Sequence, residues 1–381
     1  MRIIRVSYRI PPEPGGKERH VECLTREQLK RGHDVVLAFR RGGVVPEGAT
    51  VLATRPTLVS RALAVKSDVL AFSAEVGGAL RRHRSADLVH LHGDHVEAAV
   101  LGPICRLLGL PLVLTVHATL SKRHQRFARM ALRNVDACIA LGCSTGDDLV
   151  RLGVDPRRIR VASSGLDLEG IAKVRGSGGC ERGLVVSVGS LEPMKNHALL
   201  IAAFQAVRRT RPGLRLVIAG DGPERKRLQR LAGQGAGIEL PGRLSRNEIY
   251  WLVRSAEVFV LASRRLDGKG EGVPTAALEA LALGTPVIVS TDAALEPVVQ
   301  DRGAYRTFTS GSVDELIAVL GSLLDDEETR RRMSDLGPRV TAALDWPAVT
   351  SRIEEWYGTA LNGIPRAGGH ETVEAPLRRD H

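Results

Sequence analysis

Aromatic side chains are scarce in this chain of 381 residues, which holds six phenylalanines and four tyrosines. Single-stranded nucleic acid is gripped by stacking bases on such rings, and no RNA- or DNA-binding motif occurs. Nucleic acid is therefore a poor partner despite a net charge of +11. Cysteine is also sparse. The five (Cys23, Cys105, Cys138, Cys143, Cys180) are odd in number and have no Cys-x-x-Cys spacing. That pattern predicts buried reduced thiols and argues against disulfides or a metal site. No window has the uninterrupted apolar length of a membrane span. The first residues, Met1-Arg2-Ile3-Ile4-Arg5-Val6, enter a strand pattern without an apolar leader, so a cytoplasmic location is expected. There is no G-x-G-x-x-G, which argues against a nicotinamide dinucleotide site.

An apolar content of 43% and a charged content of 25% describe a globular chain. Its length is too great for one ordinary core and predicts two domains. The charge is uneven. Residues 1–170 hold 26 lysines and arginines against 17 acids, whereas the remainder holds 28 against 26. A basic N-terminal half implies an acidic partner there, such as an anionic lipid or a phosphorylated acceptor.

Short apolar runs at 3–7, 34–38, 88–91, 112–116, 137–140 and 159–162 read as strands, with helical periods between them, as over 18–31 and 96–108. This alternation specifies a parallel sheet covered on both faces. A glycine-rich stretch at 173–183 reads as a linker after a first domain of residues 1–172. The alternation restarts with strands at 184–188, 214–219, 238–240, 258–261 and 286–289 in a second domain of residues 184–345. A helix over 346–361 follows, then a polar tail, 362–381, expected to be disordered. The expected fold is thus α/β with two doubly wound Rossmann-like halves, and ligands in such sheets sit beyond the carboxyl ends of the strands.

Glu271-Gly272-Val273-Pro274-Thr275 leads into a helix that carries Glu279 and runs to Gly284-Thr285-Pro286. A helix start offers unpaired N–H groups and a positive dipole end, which suit a diphosphate. Carboxylates on either side can accept hydrogen bonds from hydroxyls, and a sugar nucleotide is a diphosphate with hydroxyl-rich groups on both sides. In Gly189-Ser190-Leu191-Glu192-Pro193-Met194-Lys195-Asn196, a strand ends in glycine and a loop delivers one lysine able to neutralise phosphate. Gly15-Gly16 follows the first strand and lets backbone approach a ligand at a helix start. Gly220-Asp221-Gly222-Pro223 and Gly242-Arg243-Leu244 are turns on the same sheet edge as Lys195.

In this order, the motifs resemble those of the sugar-nucleotide-dependent retaining glycosyltransferases of family 4, over roughly residues 1–360. The resemblance implies the GT-B fold, two domains facing each other across a cleft, with the C-terminal helix crossing back to the first domain. It implies that Glu271 holds hydroxyls of the donor sugar and that the N–H groups of Val273 and Thr275 lie near that sugar and the β-phosphate. Glu279 would bind the ribose and Lys195 would stabilise the departing diphosphate. Gly16 would approach the phosphates from the opposite domain, and Gly242 to Leu244 would face the base. His117 matches a strand-end histidine near the anomeric carbon. Ser190 stands where an arginine is frequent, which puts more weight on Lys195. Pro274, which has no N–H to donate, stands in a loop that usually offers one.

His90, His92 and His95 form a cluster in which strand alternation places the first two on one face. A strand end lining the cleft is a better reading than zinc. Over 120–133, Leu120, Phe127 and Ala131 share one helical stripe and Lys122, Arg126, Arg129 and Arg133 another, a cationic amphipathic pattern suited to an anionic membrane surface. The expected activity is transfer of a sugar, with retention and without metal or other cofactor, from a UDP- or GDP-type donor to a saccharide, phosphorylated or lipid-linked hydroxyl. The expected place is the cytoplasm or, by peripheral attachment, the inner face of the cell membrane. A sugar-nucleotide epimerase, a glycogen-synthase-like polymerase and a non-catalytic sugar-nucleotide binder of the same fold are the alternatives.

Overall fold

The computed structural model describes residues 1–13, 15–120, 124–176, 179–233, 235, 237–266 and 270–362. The expected tail from 363 onward, Lys122 of the cationic segment, two linker residues (177–178) and the stretch 267–269 ahead of Glu271 lie outside the described residues.

Two parallel sheets organise the chain. The first consists of β1 (Arg2–Ser7), β2 (Asp34–Ala38), β3 (Thr50–Val51), β4 (Leu88–His92), β5 (Leu112–Val116), β6 (Ala137–Leu141) and β7 (Ile159–Ala162), in the order β3-β2-β1-β4-β5-β6-β7. The second consists of β8 (Leu184–Val188), β9 (Arg215–Ala219), β10 (Ile238–Gly242), β11 (Val258–Leu261), β12 (Val287–Ser290) and β13 (Tyr305–Phe308), in the order β10-β9-β8-β11-β12-β13. Each is doubly wound, and its strand order reverses beside its first strand. That switch point, between β1 and β4 or between β8 and β11, is where such sheets open a crevice beyond the strand ends.

Helices on both faces explain why β4, β5 and β6 are buried along their whole length. One face of the first sheet (Ile4, Val6, Val89, Leu91, Leu114) packs with Phe72, Leu101 and Leu132, from helices Asp68–Leu80, His95–Leu108 and Gln125–Leu132. The other face (Ile3, Leu88, Val113, Ile139) packs with Leu24 of helix Gly16–Lys30 and with Val349, Ile353 and Tyr357 of helix Trp346–Asn362. Helix Trp346–Asn362, the last among the described residues, is therefore part of the first domain's core. In the second domain, helix Thr275–Leu283 is apolar nearly all round, and its residues from Ala277 to Leu283 are buried.

Several expectations need correction. Residues 173–175 are helical, in Leu168–Arg175. Leu166, Ile171 and Val174 of this region pack with Leu261, Leu278 and Leu281 of the second domain, so the chain crosses over ahead of the glycine-rich stretch. Two strands had no apolar run to reveal them: β3 is an exposed pair of residues at the sheet edge, and β13 carries Arg306 and Thr307 between the buried Tyr305 and Phe308. Among the cysteines, Cys105 and Cys138 are buried, Cys23 and Cys143 are half-buried and Cys180 is exposed.

Helix Gln125–Leu132 buries Ala128, Ala131 and Leu132. Phe127 is off that stripe and exposed, as are Met130, Arg126, Arg129 and Arg133. No helix among the described residues is long and apolar enough to cross a membrane.

Candidate active site

Three strand-end loops of the second sheet are tied edge to edge. Gly189 N–H donates to the Ala219 carbonyl at 3.0 Å, Leu191 N–H to Asp221 at 3.0 Å, and Gly220 N–H to Gly242 at 2.8 Å. A Cβ on Gly220 would sit 1.8 Å from the Gly189 carbonyl oxygen, so glycine is required for the loops to approach this closely. This platform carries a 3-10 turn, Pro193–Lys195. The methylenes of Lys195 lie over Gly189, its Cε 3.4 Å from where a Cβ would be.

The Lys195 ammonium is ion-paired with Glu271 Oε1, and Ser263 Oγ donates to the same oxygen at 2.7 Å. Both charged side chains are mostly covered, 17% and 10% exposed. An ion pair that sheltered is costly to break unless another group takes each partner. Just beyond it begins helix Thr275–Leu283, whose cap position is Pro274 with no side-chain cap. The lysine, the carboxylate and the uncapped helix start are therefore neighbours. Ser190 is exposed and contributes its carbonyl to His197 Nε2 at 3.3 Å. Gly242 is buried at the end of β10, and Leu244 is half-buried ahead of helix Arg246–Ser255.

The first domain closes directly onto this loop. A Cβ on Gly272 would fall 2.4 Å from the Leu141 carbonyl oxygen and 2.7 Å from that of His117. Ser144 Oγ donates to the Glu271 carbonyl at 3.4 Å, and Arg265 crosses to the buried Asp148. Gly16 opens helix Gly16–Lys30, and a Cβ there would meet nothing within 4 Å, which leaves room above that helix start. Four residues into helix Thr275–Leu283, Glu279 is 8% exposed. Its Oε1 accepts from Tyr250 Oη at 3.3 Å and is ion-paired with Arg19 of the first domain at 2.9 Å.

His117 belongs to a larger assembly than its strand-end position suggested. Its Nε2 is 3.1 Å from His92 Nδ1, and the His20 ring stands edge-on with centroids 5.0 Å apart. His92 stacks on His90 with centroids 4.1 Å apart. His90 shares hydrogen bonds with Thr115 Oγ1 at 2.7 Å and Tyr357 Oη at 2.6 Å. Burial, and then neighbouring basic groups, hold His90, His92 and His117 well below the ordinary histidine pKa, and His20 at about 3. All four rings are thus neutral at pH 7.

His90 and His92 share a face as alternation required, but they are fully buried. His90 faces the C-terminal helix, not the cleft. His95 sits apart, at the start of the next helix. Among the described residues, no group of three or more His, Cys, Asp or Glu is arranged to hold a metal ion. Tyr357→Phe would leave the buried His90 Nδ1 without its hydroxyl partner. The expected loss is about 1–3 kcal/mol of stability, read as a lower urea midpoint; an unchanged midpoint would show that the bond contributes nothing.

Arg19, Tyr250, Ser263 and the histidine assembly were not foreseen. Arg19 alone had a legible signal, since three residues after Gly16 it shares that helix face. The others meet their partners only through the tertiary fold.

Two doubly wound parallel sheets closing over such a cleft define the GT-B architecture. The profile described as Glycosyltransferase Family 4 matches residues 14–169, and that described as Glycosyl transferases group 1 matches residues 179–340. The chain belongs to the family-4 GT-B glycosyltransferases. It is similar to the glycogen synthase of Mycobacterium tuberculosis, at 29% identity over 95% of this chain and 96% of that protein. It is similar also to a phosphatidyl-myo-inositol mannosyltransferase of Propionibacterium freudenreichii, at 28% identity over 95% and 96%. The crystal structure of Anabaena HepE in complex with UDP-glucose superposes with a TM-score of 0.74, covering 93% of this chain and 98% of that one at 18% identity, which speaks to the fold alone.

Proposed function

We propose that this glycosyltransferase moves a sugar from a nucleoside diphosphate to an acceptor hydroxyl, with retention of configuration and without a metal ion. The observation that carries the reading is the Lys195–Glu271 ion pair, placed at the uncapped start of helix Thr275–Leu283. A donor separates the pair by satisfying both members. Its diphosphate takes the ammonium and its sugar hydroxyls take the carboxylate.

In the chemical step, the bond between the anomeric carbon and the β-phosphate oxygen breaks and its electrons pass to the diphosphate. The acceptor oxygen bonds to the same carbon from the same face, and its proton goes to the departing phosphate oxygen. Negative charge builds where the reading puts Lys195 and the N–H groups of Val273 and Thr275, and each preorganised donor of that kind is worth a few kcal/mol. Glu279 and the backbone from Gly242 to Leu244 serve the ribose and base, Gly16 leaves space for phosphate, and His117 stands near the reacting carbon. Ser190 contributes no charge to the diphosphate.

The donor is of UDP or GDP type, and the names of the relatives support a saccharide or lipid-linked acceptor. Exposed Arg126, Arg129 and Arg133 beside exposed Phe127 and Met130 suit peripheral contact with anionic lipid at the cytoplasmic face of the membrane. A panel of nucleoside diphosphates and their sugars tests the function. One diphosphate is expected to raise the melting temperature. Its sugar is then transferred in the presence of chelator, and NMR finds the donor's anomeric configuration in the product. An inverted product, or no response to any diphosphate, would refute the reading.

A further inference from the structure

Arg19 lies in the first turn of helix Gly16–Lys30 and reaches across the cleft into the second domain. Its Nη1 is 2.9 Å from Glu279 Oε1, and its Nη2 donates to Tyr250 Oη at 3.4 Å. The site is sheltered, with the Arg19 side chain 25% exposed and that of Glu279 11%. Burial acts to lower the Arg19 pKa, but the Glu279 carboxylate together with Tyr250 and Cys23 outweighs it, and the guanidinium stays charged. The carboxylate assigned to the ribose has a partner in the fold itself, a cation from the opposite domain.

We propose that Arg19 is a donor-site residue that exchanges partners: ribose hydroxyls displace it from Glu279, and the freed guanidinium takes the donor diphosphate. The proposal rests on the functional reading above. Three observations carry it. A guanidinium cannot shed its proton, so once displaced in a part-covered cleft it needs another anion, and the diphosphate arrives in the same event. Gly16, three residues earlier, opens the helix with unobstructed space where phosphate oxygens would approach. Ser190 leaves the second domain without a cation at that position, and Arg19 supplies a second positive group from across the cleft. Bidentate pairing with phosphate is what the planar fork of arginine does best.

The exchange makes nucleotide binding depend on the phosphates more than on the nucleoside. A nucleoside alone would evict Arg19 from Glu279 and leave the cation unpaired. A nucleoside diphosphate evicts it and pairs it again.

Titration calorimetry on the full chain at fixed ionic strength tests this, using the diphosphate that the wild type binds best and the matching nucleoside. The quantity read is the ratio of the two affinities. Arg19→Ala is expected to lower the preference for diphosphate over nucleoside roughly tenfold or more, and Arg19→Lys to recover part of it. The lysine variant keeps the charge, so it reports even if the alanine variant folds poorly. A preference unchanged in both variants, with the two affinities moving by one factor, would overturn the proposal and leave Arg19 a simple plug on Glu279. If the wild type binds no diphosphate at all, it is the functional reading that fails first.

Discussion

Replacing Lys195 by alanine should cut turnover by about two to three orders of magnitude. The side chain sits on a short turn with its methylenes over Gly189, so no core packing is lost and far-UV circular dichroism should match the wild type. The loss falls on the transition state. On the proposed reading, the ammonium balances Glu271 in the resting protein, pairs with the diphosphate of the bound donor, and meets additional charge as that diphosphate departs. The expected pattern is a large fall in kcat with a smaller change in the donor KM. Turnover within a few-fold of normal would refute the role given to Lys195.

Gly272→Ala should lower turnover about 100-fold by a different route. The added methyl group would occupy space 2.4 Å from one backbone oxygen and 2.7 Å from another, Leu141 and His117 of the facing domain. Neither oxygen can rotate away, since each belongs to the end of a sheet strand or the residue just after it. The domains must stand apart by roughly an ångström, and misplacement on that scale costs about that factor. Each domain's own core is untouched, so the melting temperature should stay close to normal and diphosphate binding to the second domain should persist. Wild-type kcat in this variant would mean that the chemistry does not need the closed contact.

Much of the scaffold could be read from residue order. β8 and β11 are short β-branched or aromatic runs stopped by a loop, and β5 and β6 are equally plain, because a strand covered on both faces must be apolar throughout. β3 and β13 were invisible for the converse reason. One is an exposed edge of two residues, and the other is covered unevenly enough to carry Arg306 and Thr307. In the site, Lys195, Glu271 and Glu279 stood out because each follows a strand-ending or helix-starting motif. Arg19 against Glu279 and Tyr357 against His90 did not, since these partners are 260 and 267 residues apart. Only the packing of one domain on the other, and of the last helix on the first sheet, brings them together.

The return of the chain to its starting domain limits how the molecule can move. The outgoing segment at Leu166 and the incoming one at the 3-10 turn Ala342–Leu344 are tied side by side, Leu166 N–H donating to the Leu344 carbonyl at 2.7 Å. Two adjacent tethers act as the pin of a hinge: they allow the jaws to swing about one axis and resist sliding or twisting. Ending the polypeptide at residue 345 would remove one of the two tethers and the helical buttress of the first jaw at once.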